Sequence, residues 1–120
     1  MAGLIASHDE KIRVLGFSAL KGAGFLEQEV SKLLLEYPEK ATWSIDYRFH
    51  FGGYAKIKPE LIAFLHTFHH AHHVVLDPIY TGKMMYGLYE MIRSNEFTKG
   101  TTIIALHTGG LQGINGIEER

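Results

Sequence analysis

Residues 101–106, Thr-Thr-Ile-Ile-Ala-Leu, constrain the fold more than any other stretch of this 120-residue chain. Every position is β-branched or apolar, which is the composition of a strand covered on both faces in a parallel sheet. Parallel neighbours need long crossovers, usually helices, so helical segments should alternate with strands along the chain. The expected architecture is therefore α/β, a three-layer domain with a mostly parallel sheet and helices on both faces.

The remaining segments fit that alternation. Residues 12–20, IRVLGFSAL, read as a short apolar strand that loosens at Gly16, Ser18 and Ala19. Gly22 and Gly24 supply a turn. A helix follows, with Phe25, Val30, Leu33 and Leu34 as its apolar stripe and Glu27, Glu29 and Lys32 outward. Pro38 should end it. Residues 41–47, ATWSIDY, form a second candidate strand, and HFGGYAK (50–56) a loop bent by paired glycines. Pro59 suits the first turn of a helix whose apolar face is Leu61, Ile62, Phe64, Leu65 and Phe68. VVLDPI (74–79) is a short apolar segment broken at Asp77-Pro78. A last helix is expected over 83–94, its face including Met84, Met85, Leu88, Tyr89 and Ile92. Gly109, Gly110, Gly113 and Gly116 mark the tail as a loop. Three or four strands make a small sheet, and a doubly covered strand at 101–106 wants more neighbours.

Several classes of chemistry are excluded. The absence of cysteine removes disulfides, thiol nucleophiles and thiolate-held metals. A formal charge of -1 and the lack of a dense basic tract argue against a nucleic-acid partner. No stretch approaches the apolar length of a membrane span, and Asp9 and Glu10 come too early for a signal peptide. No membrane partner is expected, and a cytoplasmic location is the default.

Two turns stand at the carboxyl ends of candidate strands, where open α/β sheets bind ligands. In Asp77–Lys83, Thr81 is placed to cap the following helix and Tyr80 offers a ring and a hydroxyl. A plain strand-to-helix turn with a buried tyrosine explains the same residues. Lys83 itself reads as a solvent-facing charge at a helix start. In His107–Gly110, the paired glycines permit close approach of a ligand to backbone, although no phosphate-binding glycine motif is present. The helical histidines at 66/70 and 69/73 share faces, yet no carboxylate sits among them. A solvated histidine face is the simpler reading, with a metal-binding domain as an alternative.

Taken together, LDPIYTGKMMYGL (76–88), the 103–110 segment ending in HTGG, HFGGYAKIKPELIAF (50–64) and GFSALKGAGFLEQEV (16–30) resemble a pyridoxal-phosphate enzyme family. It is the 1-aminocyclopropane-1-carboxylate deaminase and D-cysteine desulfhydrase family, of tryptophan-synthase β-like fold. The resemblance is to its carboxyl-terminal portion. It implies one α/β domain over residues 1–120, belonging to a larger two-domain enzyme. It also implies pyridoxal 5'-phosphate as cofactor and a small amino acid as substrate.

By that resemblance, Tyr54 and Tyr80 lie beside cofactor and substrate as catalytic groups. Thr81 addresses the pyridine nitrogen, and His107, Thr108, Gly109 and Gly110 line the cofactor pocket. Deaminases of the cyclopropane substrate have glutamate where this chain has Thr81. A hydroxyl lacks the charge that holds a proton on the ring nitrogen. A ring closer to neutral favours elimination of a good leaving group, hence desulfhydrase-like chemistry. The resemblance places the lysine that carries the cofactor as an imine upstream of the matched region, with the phosphate loop just before Met1, Ala2 and Gly3. The expected product chemistry is an α-keto acid and ammonia, with this chain alone inactive. A non-catalytic binding module with a half-fold is the competing reading, and self-association into a homo-oligomer would follow from a bare sheet edge.

Overall fold

The computed structural model describes residues 1–7, 11–37 and 41–111. Its elements are α1 (Ala2–Ser7), β1 (Arg13–Phe17), α2 (Leu26–Leu34), β2 (Thr42–Asp46), α3 (Pro59–His72) and α4 (Thr81–Arg93). β1 and β2 pair in parallel, Arg13 opposite Thr42 and Phe17 opposite Asp46, with α2 in the connection between them. The Ser18 amide adds one bond beyond the strands, to the Asp46 carbonyl at 2.9 Å. The α/β class with a parallel sheet is thus observed, and the sheet of the described residues has two strands. No helix among those residues is long and apolar enough to cross a membrane.

Two packing centres hold these elements. Ile5, Val14, Leu34 and Ala41 are buried together, with Leu4, Val30 and Trp43 packed around them. This joins α1, β1, α2 and the start of β2. The other centre is aromatic. Phe64 of α3 lies 5.4 Å from the Tyr86 ring and 5.3 Å from Tyr89 of α4, centroid to centroid, both edge-on. Phe51 and Phe49 continue the contacts through Tyr86, and Phe17 of β1 meets Phe49. Edge-to-face rings at such separations add stabilisation beyond their buried area.

Local chemistry explains the helix ends. Pro59 occupies the first turn of α3, where a missing amide hydrogen costs nothing. His73 closes that helix in the left-handed region, its amide donating to the His69 carbonyl at 2.8 Å. In α2, Glu27 and Glu29 stand in the first turn and Lys32 in the last, matching the helix dipole.

Four expectations need correction. Residues 101–106 form no strand: they are exposed along their length, with Ile104 at 89%. A strand exists through ladder bonds to neighbours, and no described segment pairs with this one. Leu33 of α2 points outward, because Leu34 and Val30 already fill the face toward Val14. Helix α4 starts at Thr81 rather than 83. Its buried set includes Lys83, Gly87, Leu88 and Met91, while Tyr89 and Ile92 are exposed. The helix is therefore turned so that its 83–87–91 stripe faces inward. Pro38, Gly113 and Gly116 lie outside the described residues.

Candidate functional site

The segment from Asp77 to Lys83 folds around a carboxylate. Asp77 Oδ2 accepts the amides of Ile79 (2.8 Å) and Tyr80 (2.7 Å). Its Oδ1 accepts the Thr81 amide (2.8 Å) and the Thr81 hydroxyl (2.6 Å). Burial by itself raises the Asp77 pKa, but the Thr81 hydroxyl and the three amides outweigh it and hold the carboxyl below its ordinary value. Asp77, not Thr81, is therefore the side chain that receives the amides leading into α4, those of Tyr80 and Thr81. The Asp77 carbonyl then takes the Gly82 amide at 2.7 Å. A β-carbon at Gly82 would strike that carbonyl oxygen and come within 2.7 Å of Leu65, so the turn requires glycine.

The turn presents Tyr80 on its outer side. Tyr80 is exposed, and its hydroxyl donates to that of Tyr54 at 3.3 Å, the rings lying 6.2 Å apart. The bond to Tyr54, with a little desolvation, raises the Tyr80 pKa. Tyr54 comes from the 50–56 loop, 26 residues away in sequence. The His107–Gly110 loop reaches the same turn from a third direction. His107 Nε2 lies 2.8 Å from the Val75 carbonyl, while its Nδ1 accepts the Gly109 amide at 3.0 Å. Those two bonds together require the Nε2–H tautomer. A β-carbon at Gly110 would sit 3.4 Å from Asp77 Oδ1. Thr108 is exposed and Gly109 half-buried beside it.

Thr81 is closed off by comparison. It is buried; its hydroxyl donates to Asp77 Oδ1 and accepts the Asp77 amide at 3.0 Å. One acceptor lone pair is left. The solvated histidine face is as expected, with His66, His69, His70, His72 and His73 exposed. Among the described residues no group of three or more potential ligands is placed to hold a metal ion. A separate open cleft of about 290 Å³ lies by Arg48, Phe51, Lys58 and Glu90, and none of the sequence-predicted site residues lines it.

Lys83 corrects the sequence reading most sharply. It is 2% exposed, and its ammonium donates to the carbonyls of His50 (2.8 Å) and Gly53 (2.9 Å). Burial lowers its pKa, with the Asp77 charge partly opposing. The clue was periodicity: Lys83 shares a helical stripe with Gly87 and Met91, both buried.

No family model matches the chain. It is 30% identical over 110 residues to a Pyrococcus horikoshii protein that carries the provisional name 1-aminocyclopropane-1-carboxylate deaminase, across 88% of this chain and 33% of that one. A Pseudomonas syringae 1-aminocyclopropane-1-carboxylate deaminase is 40% identical over 42 residues, 35% of this chain and 12% of its own. A crystal structure of an ACC deaminase homologue superposes with a TM-score of 0.79 at 26% identity, covering 98% of this chain and 38% of the other. The chain thus spans about a third of the length of the Pyrococcus horikoshii relative. In sequence and in its parallel α/β architecture the chain is similar to part of the 1-aminocyclopropane-1-carboxylate deaminase family.

Proposed function

We propose that this chain supplies one wall of a pyridoxal-phosphate pocket in an enzyme that converts a small amino acid to an α-keto acid and ammonia. The supporting observation is convergence: loops at 50–56, 77–83 and 107–110, remote in sequence, meet around the Asp77 turn. The bound cofactor would supply the electron sink for breaking bonds at the substrate α-carbon. Tyr54 and Tyr80 are the accessible groups, able to orient a substrate and to hold or pass a phenolic proton at Tyr80 Oη. His107, Thr108, Gly109 and Gly110 would close the adjoining side.

Fit to the pyridine nitrogen rests on Thr81. Its proton is committed to Asp77, so the remaining lone pair suits a nitrogen that carries a hydrogen. The expected neutral ring loses its premise, since a carboxylate stands one hydrogen bond behind the threonine. Desulfhydrase-like chemistry then rests on the resemblance alone, in which threonine stands at position 81 where deaminases of the cyclopropane substrate have glutamate.

Pyridoxal phosphate titrated into the chain should shift the ring resonances of Tyr54 and Tyr80 in a saturable way. Binding should weaken at least severalfold in Tyr80→Ala, and the chain alone should turn over neither D-cysteine nor the cyclopropane substrate. Absence of saturable binding, or binding indifferent to Tyr80, would remove this function.

A further inference from the structure

We infer that Lys83 is a positioning residue, a latch whose ammonium fixes the His50–Tyr54 loop so that the Tyr54 hydroxyl meets that of Tyr80. This rests on the reading of the tyrosine pair as part of the pocket and adds a residue that acts through it.

The loop is bent in a way that backbone preferences oppose. Phe51 and Ala55 have φ of 56° each, and Gly52 and Gly53 have 101° and 129°. Non-glycine residues in that region persist where surroundings over-determine them. Two consecutive turns carry the bend, Gly53 amide to His50 carbonyl and Lys56 amide to Gly53 carbonyl, both 3.1 Å. The acceptors of those turns, the His50 and Gly53 carbonyls, are the same oxygens that receive the Lys83 ammonium. One side chain therefore spans both turns, and Tyr54 follows directly after the second of its acceptors.

Lys83 sits two residues after Thr81 and three after Tyr80, inside the first turn of α4. The helix that displays Tyr80 thus also grips the loop that displays Tyr54. Among the described residues Lys83 has no ion pair. Burying an ammonium is costly unless polar groups compensate, and here two carbonyl dipoles do so. A methionine could fill the same volume with no such cost, so packing does not account for a lysine.

The test uses the chain at neutral pH. In Lys83→Met, amide exchange at Gly53 and Lys56 should accelerate at least tenfold and the Tyr54–Tyr80 ring cross-relaxation should vanish, while Ile45 and Leu88 amides keep their protection. Retained Tyr54–Tyr80 contact, or equal acceleration at all four amides in a folded variant, would overturn the latch. A second measurement needs no variant. In the wild-type chain, the Lys83 ammonium should give a solvent-protected resonance, and one that exchanges like a surface lysine also overturns it. These readouts involve no cofactor. Failure of pyridoxal phosphate to bind would defeat the pocket reading and leave them intact.

Discussion

The Asp77 carboxylate accepts four hydrogen bonds within one turn of chain, three from amides and one from the Thr81 hydroxyl. Because these hold its pKa below the ordinary value, the folded turn refuses a proton that the unfolded chain accepts near pH 4. The stabilisation is complete above that pH and is lost as pH falls through the folded pKa. Asp77→Asn should cost about 1–3 kcal/mol at pH 7, since the amide presents hydrogens where backbone donors already point. It should also flatten the decline of the melting temperature below pH 4. Equal wild-type and variant melts across pH 2–7 would contradict this. Half of this turn was legible in advance. Tyr80 and Thr81 stand out by type and context, whereas Asp77-Pro78 reads only as a break in an apolar run, because the bonds from the amides of residues 79–81 exist only once the turn has closed.

Among the elements, α4 carries the most, and its inward face was the least legible. Apolar residues at 84, 85, 88, 89 and 92 suggested one face; the structure buries a stripe containing Lys83 and Gly87, which an apolar count does not register. Gly87 is there because rings need the room. A β-carbon on it would come 2.6 Å from Phe49 and 2.8 Å from Phe17, the rings that link the 47–54 segment and β1 to the helix. Gly87→Ala gains helix propensity of just under about 1 kcal/mol. Overpacking costs about 1–3 kcal/mol and should win. The expected result is a net loss of stability in urea melts, with the Phe49 ring shifted; a stabilised variant would show that the ring pair gives way freely. β2 and the start of α3, by contrast, follow the sequence pattern within about one residue, while β1 and α2 stop about three residues short of it; short apolar runs and a proline at a helix start are local signals.

At the scale of the whole molecule the chain is more open than its size requires. Its radius of gyration is 15.2 Å, against about 13.6 Å for a compact domain of this length. Its accessible surface is 8318 Å², where about 6,500 Å² is usual for the mass. Part of the exposed area is apolar and extended: Val74, Val75, Ile103, Ile104 and Leu106 all face solvent. Composition predicts a covered strand at 101–106, and the segment is instead exposed and unpaired among the described residues. Coverage is nonlocal, and composition does not say whether neighbouring strands are there to supply it. Unpaired, apolar, β-branched backbone is a template for pairing with another chain. The chain should therefore self-associate as its concentration rises, with an average mass in sedimentation equilibrium above the monomer value. Ile104→Lys places a charge on the most exposed apolar position of the segment. It should move the distribution toward monomer without altering the Tyr54–Tyr80 contact, which lies on other segments. A chain that stays monomeric at high micromolar concentration, or an Ile104→Lys variant that associates as the wild type does, would show that this edge is not a pairing surface.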